Sequence, residues 1–270
     1  MCHVLLSDLF GTRKPIVGMV HLPALPGAPR WAGSMAAVLE RALADARALA
    51  DGGVHGVLVE NFLDAPFYPD HVPPETVAAM AVAIAEVARA VRVPVGVNVL
   101  RNDAAAALAV AIATGARFIR VNVHTGVMLA DQGWLEGRAH ETLRLRARLV
   151  STGASPAILA DVLVKHAVPP AALDLAQTAR DTWHRGLADG LIVSGEETGA
   201  PTDVGCIEAV KAALPQAPVW IGSGLTAANA ARLLAAADGA IVGSALARDG
   251  RAGAGIDPER VARLLAAIPR

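Results

Sequence analysis

The sequence predicts a single (β/α)8 (TIM) barrel, and three observations carry that prediction. Eight short β-branched runs alternate with longer Ala-, Leu- and Arg-rich stretches of helical period, the pattern of βα units around a parallel sheet. Eight such units are the closed-barrel number, where an open doubly wound sheet has about five or six strands. The 270 residues match the roughly 250 of one barrel, and no Ser/Pro-rich linker or shift in composition divides them. Residues 1–270 are therefore read as one domain, with 1–12 as an N-terminal extension.

The elements follow in order. Strand 16–21 precedes helix 35–50, with Ser34 in the N-cap position and Gly52 and Gly53 at its end. Strand 56–60 leads to helix 75–91, opened by Pro74 and Glu75. Strand 95–99 leads to helix 103–114, with Asp103 placed to cap it and Gly115 to stop it. Strand 118–123 precedes helix 138–149, and strand 157–162 precedes helix 171–185, with Gly186 and Gly190 as stop signals. Strand 191–194 is followed by helix 203–214 under an Asp203 cap, and strand 219–222 by helix 227–236 with Thr226 as its cap. Strand 240–243 and helix 258–267 close the series. The long connections, 22–33, 61–73, 124–137 and 195–202, all follow strands, which places them on the C-terminal face, where barrels build active sites.

Composition narrows the function. A formal charge of −1 gives no global field to recruit nucleic acid or an anionic membrane, and aromatics at 3% supply no base-stacking platform. No nucleic-acid partner is expected. The opening residues lack a basic stretch followed by a sustained apolar core, so no signal peptide is expected, and prolines and glycines interrupt the uncharged stretch 212–231, so no transmembrane segment is expected and only peripheral membrane attachment stays open. Two cysteines, Cys2 and Cys206, form no disulfide framework, which suits a reducing, cytoplasmic compartment. An Ala-rich, low-charge exterior points to a homo-oligomer.

The candidate chemistry lies at strand ends. Gly222, Ser223 and Gly224 after the seventh strand, with Gly243 and Ser244 after the eighth, would let backbone N–H groups approach a phosphate. Alone, either turn is an ordinary βα turn; as a pair they predict a phosphorylated small-molecule ligand. His21, Glu60 with Asn61, Asn98, Asn122 with His124, Asp161 and Ser194 are polar groups ending hydrophobic strands. Such groups fit a core poorly, but they can converge on a ligand at a barrel mouth. Glu60 and Asp161 are a candidate acid/base pair with His21 or His124 as proton carrier, and Asn61, Asn98, Asn122 and Ser194 would orient substrate. Each asparagine has an equally ordinary role in capping a helix or loop.

Only three of the 24 basic residues are lysines, so arginine serves as the surface cation and Lys165 stands out. If the fifth strand persists, Lys165 shares the parity of Asp161 and would serve as Schiff-base amine, proton carrier or phosphate contact; the competing reading is a solvated rim lysine. Burial would lower its pKa, whereas Asp161 would raise it. Arg120 would bind an anion or pair with a carboxylate at the lower rim. No cofactor is expected. A divalent metal on these carboxylates and histidines is a rival reading that no HExxH-like spacing supports.

Several segments together resemble the BtpA/SgcQ family: KPIVGMVHLPALPG at 14–27, VENF at 59–62, DQGWLEGR at 131–138, ADVLVKH at 160–166, SG at 194–195 through TG at 198–199, and the paired glycine turns. Residues 1–12 are the least family-like part. The resemblance implies a TIM barrel of the ribulose-phosphate-binding type and, in photosynthetic members, a role in photosystem I biogenesis; related members are linked to carbohydrate metabolism. It transfers no reaction. The residues favour a cofactor-independent enzyme on a phosphorylated sugar or nucleoside-type metabolite, by isomerisation, aldol-type cleavage or glycosidic-bond cleavage. The alternative is a non-catalytic assembly factor for a membrane complex of the photosystem I type.

Overall fold

The computed structural model describes residues 3–150, 155–195 and 198–268. Cys2 and residues 196–197 of the predicted loop 195–202 lie outside them. Helix α1 (Leu6–Phe10) comes first, then β1 (Ile16–His21), α2 (Met35–Asp51), β2 (Gly56–Glu60), α3 (Pro74–Ala90), β3 (Val95–Asn98), α4 (Ala104–Thr114) and β4 (Phe118–Val121). Next come β5 (Val127–Ala130), β6 (Gly133–Glu136), α5 (Ala139–Leu149), β7 (Ala157–Asp161), β8 (Ala167–Val168) and α6 (Leu175–Arg180). The chain continues through β9 (Gly190–Val193), α7 (Val204–Ala213), β10 (Val219–Ile221), α8 (Ala230–Ala236), β11 (Gly239–Val242) and α9 (Pro258–Ala266).

Eight parallel strands close into a barrel in the order β1-β11-β10-β9-β7-β4-β3-β2, so the chain is a TIM barrel. Two cores divide at the barrel wall. Side chains of the outward parity, such as Val20, Val57, Val59, Ile119 and Ile158, pack beneath the helices. Inside lie Val17, Met19, Leu58, Phe118, Leu159, Ile192, Trp220 and Ile241. Successive strand residues point to opposite faces, so this inward parity, carried to the strand ends, selects which side chains enter the mouth.

Several expectations are corrected here. Residues 6–10 form a helix whose Leu6 and Phe10 close the barrel floor, with Phe10 ring centroids 5.3 Å from both Phe118 and Trp220. Leu6 and Phe10 are therefore part of the interior core. The connection 124–137 holds the hairpin β5–β6, and β8 adds to it to make a three-stranded antiparallel sheet. Ser34, Asp103 and Asp203 cap their helices through their side chains, whereas Thr226 instead donates its N–H to Asn229, the residue at the N-cap position of α8. Gly190 begins a strand rather than ending a helix. The predicted helix 171–185 is shorter, because α6 starts under Asp174 and passes into a π-turn at Asp181–Arg185.

Candidate active site

At the C-terminal end of the barrel opens a cavity of about 470 Å³. His21, Glu60, Arg120, Asn122, Lys165, Gly222, Ser223, Gly224, Gly243 and Ser244 line it, so most of the predicted site residues meet at one mouth. The inward parity explains the set, since His21, Glu60, Asn98, Arg120 and Asp161 follow Met19, Leu58, Gly96, Phe118 and Leu159 by two residues each.

A buried polar network forms one wall. Arg120 grips Asp161 through both ends of its fork, Nε to Oδ2 at 3.1 Å and Nη2 to Oδ1 at 2.9 Å. Asn122 Nδ2 donates to the same carboxylate at 3.0 Å, Ser194 Oγ donates at 3.4 Å, and Asn98 Nδ2 donates to Asn122 Oδ1 at 3.2 Å. Asp161 thus anchors Arg120 and does not face the cavity as an uncommitted base. The pair sits at the upper end of the strands, not the lower rim expected for Arg120.

Glu60 and Lys165 are a carboxyl and an amine that both face the cavity. Burial raises the Glu60 carboxyl above its ordinary pKa, and the nearby charges of Arg120 and Lys165 oppose the shift without cancelling it. Burial likewise lowers the Lys165 amine to about 8, reinforced by Arg120 and opposed by Glu60 and Asp161. Desolvation therefore decides the sign that the sequence left open. Strand parity does not deliver Lys165, because β7 ends at Asp161 and the chain then bends. The lysine is held instead by β8 on β5 and by Arg101 Nη2, which donates to its carbonyl at 2.6 Å.

His21 lies between Glu60 and the rim. Its Nδ1 accepts the Gly253 N–H at 3.2 Å, so Nε2 carries the proton toward Glu60 Oε1, 3.9 Å away, and Phe62 packs on the ring. Burial, with the charges of Lys165, Arg41 and Arg120, holds its pKa at about 3. The ring is neutral at physiological pH, a donor rather than an imidazolium proton carrier.

Asp161, Asn98 and Ser194 belong to the buried network without lining the cavity, and two further predicted residues fall outside both. His124 follows the end of β4, where parity is lost; its Nε2 lies 2.8 Å from the Gly186 carbonyl, outside the mouth. Asn61 has the opposite parity to Glu60 and faces away from the barrel interior. Its Oδ1 accepts the Leu100 N–H at 2.7 Å, and its Nδ2 donates to Asp64 at 3.1 Å and to the Leu100 carbonyl at 3.3 Å. It fixes two loops to each other instead of touching a ligand.

The glycine turns face the cavity from β10 and β11. Gly224 has φ +71°, and a Cβ there would lie 2.3 Å from the Ala200 carbonyl oxygen, so no larger residue fits. Ser223 Oγ accepts from the Gly195 N–H at 2.9 Å and donates to the Ala200 carbonyl at 3.1 Å, fastening the loop after β9 to the turn. The serine hydroxyl is thereby spent on structure, as is the Gly222 N–H, which donates to the Val193 carbonyl at 2.8 Å.

Arg101, Arg30, His166, Thr198 and Gly199 also line the mouth and were not singled out from the sequence. All five sit on loops, where neither periodicity nor capping marks a residue. Among the described residues no group of three His, Cys, Asp or Glu side chains is close enough to hold a metal ion, and no helix is long and apolar enough to cross a membrane.

A family model described as "BtpA family" matches residues 12–270. The chain is 50% identical over 263 residues to "Photosystem I biogenesis protein BtpA" of Synechocystis, spanning 97% of this chain and 91% of that protein. It is 46% identical over 253 residues to an uncharacterized protein of Thermococcus kodakarensis, with 94% of each chain covered. "Putative sgc region protein SgcQ" of Escherichia coli is 34% identical over 263 residues, with 96% of each covered. Among solved structures, a tryptophan synthase from M. tuberculosis superposes with a TM-score of 0.61 at 17% identity over 99% of both chains. A thiamine phosphate pyrophosphorylase from Pyrococcus furiosus gives 0.58 at 13% identity over 94% of this chain and 95% of that one. At such identities the likeness concerns the fold.

Proposed function

The chain belongs to the BtpA family, and from that premise we propose that it is an enzyme acting on a phosphorylated sugar or nucleoside-type metabolite at the barrel mouth. One observation carries the reading: Glu60, held toward its protonated form, and Lys165, with a pKa of about 8, line the same cavity as the two glycine turns. An assembly scaffold has no need of two buried titratable groups with pKa values pushed toward neutrality, whereas general acid/base chemistry does.

In this reading the turns at Gly222, Ser223 and Gly224 and at Gly243 and Ser244 hold the phosphate, and Asn122 orients a hydroxyl. Near pH 7.5 about a quarter of Lys165 is neutral and able to accept a proton, while Glu60 supplies or accepts the second. Such a pair serves proton-transfer isomerisation, aldol-type cleavage and glycosidic-bond cleavage alike. A second reading, a non-catalytic assembly factor, draws on the name of the Synechocystis relative and on Leu129, Trp134 and Val168. These are neighbours across the three-stranded sheet and are 41%, 57% and 60% exposed.

A thermal-shift screen of phosphorylated metabolites, followed by a turnover assay on each hit, tests the choice. Glu60→Gln and Lys165→Met are expected to keep the fold and the ligand shift but to lose about 10²–10⁴-fold in turnover. Borohydride trapping of a carbonyl substrate on Lys165 would identify the amine as a nucleophile. Ligand binding without turnover of any hit by the unmodified protein would favour the assembly reading.

A further inference from the structure

We infer that the mouth contains a second anion site, at Arg101, and that the substrate carries an acidic group at each end, one over the glycine turns and one on this guanidinium. The inference rests on the phosphate reading for the first group, but different residues carry the second. Among the described residues three arginines are buried, Arg101, Arg120 and Arg146. Arg120 and Arg146 reach carboxylates, Asp161 at 2.9 Å and Asp189 at 2.6 Å. Arg101, only 6% exposed, makes no such pair among the described residues, and its Nε is buried with no hydrogen-bond partner. Its Nη2 meets only the neutral carbonyl of Lys165. The carboxylates of Asp161, Glu60 and Asp131 act on it only from beyond contact distance, so the guanidinium is a buried cation with no direct ion pair, and a ligand that brings an oxyanion into contact lowers the cost of its burial.

The backbone at this arginine is fastened on both sides. Asn61 binds both polar backbone groups of Leu100, and the Arg101 N–H donates to the Tyr68 carbonyl at 3.1 Å. Arg101 follows β3, and in the closed barrel β1 and β2 separate β3 from β11 on one side, while β4, β7 and β9 separate it from β10 on the other. Arg101 therefore stands across the mouth from the glycine turns, lining the same cavity, with its guanidinium reaching the Lys165 carbonyl. Glu60 at the end of β2 and Lys165 after β7 stand between the two, so a ligand anchored at both ends lays its central atoms over the titratable pair. Planar forks bind carboxylate and phosphate alike, so the second group is an oxyanion of either kind.

Two experiments test this. Crystals of the unmodified protein soaked in selenate are expected to show anomalous peaks both at Arg101 and at the glycine turns. A peak at Arg101 alone would remove the phosphate reading and keep the second site; a peak at the turns alone would overturn the second site. By calorimetry, 3-phosphoglycerate is expected to bind about tenfold or more tightly than glycerol 3-phosphate, and 2,3-bisphosphoglycerate shows whether phosphate replaces carboxylate. Arg101→Met should erase that preference and the selenate peak at position 101 while keeping the peak at the glycine turns, and Arg101→Lys should restore part of the preference. Equal affinities in the unmodified protein, or a preference that survives in Arg101→Met, would overturn the inference. If Arg101→Met fails to fold, the soaks of the unmodified protein decide.

Discussion

At the scale of single residues, the mouth shows how burial turns ordinary side chains into functional candidates. His21 has a folded pKa of about 3 against an ordinary 6.5, so the folded protein binds fewer protons than the unfolded chain between these values. Stability is therefore expected to fall as pH drops from 6.5 toward 3, by about 2–4 kcal/mol from this group. Urea unfolding across that range should show a steeper loss in the unmodified protein than in His21→Gln, and the His21 ring signals should not titrate between about pH 5 and 8. The adjacent residues Glu60 and Asn61 separate the readable from the unreadable. Both are polar groups at a strand end, yet alternation sends one into the mouth and the other onto Leu100. Parity settles the face each one takes, but the task of Asn61 depends on where the loop after β3 passes.

At the scale of elements, the turns and the floor helix each make a prediction. Gly243 has a φ of −112°, which admits a side chain, and a Cβ there would lie 3.1 Å from the His21 ring. Gly243→Val should therefore weaken phosphorylated ligands by about tenfold or more while leaving the melting temperature within a few degrees, which calorimetry and thermal unfolding together would check. Helix α1 is short, but Phe10 sits in an aromatic cluster with Phe118 and Trp220. Phe10→Ala should cost about 3–5 kcal/mol in denaturant unfolding; a loss below about 1 kcal/mol would show that α1 is a detachable extension. The β5–β6–β8 sheet escaped the sequence reading because its strands are short and half exposed. Met128 and Leu135 face inward against Val123 and Val164, an alternation too brief to distinguish from loop.

At the scale of the whole molecule, closure of the ring brings loops after distant strands to one end, and the chain carries a net charge of only −1. Homo-oligomerisation is the expectation, with the exposed row of Leu129, Trp134 and Val168 as its candidate contact. Sedimentation velocity at micromolar concentration should show a species larger than one chain. A monomer alone would end the expectation, and sedimentation of Trp134→Ser would show whether that row is the contact.

The sequence by itself determined the order of the eight barrel strands, the closed eight-unit architecture and most of the polar groups that the inward parity carries to the mouth. Hydrophobic period and strand alternation are local properties that survive in a linear string. It also marked the paired glycine turns, because backbone demands restrict residue type. Only the tertiary structure decided that Arg120 and Asp161 neutralise each other, that desolvation outweighs nearby carboxylates at Lys165, and that Arg101 is buried with its Nε lacking a hydrogen-bond partner. These outcomes depend on which charges closure brings within a few ångströms of one another and on how much water remains around them. The spacing of the residues along the chain encodes neither quantity.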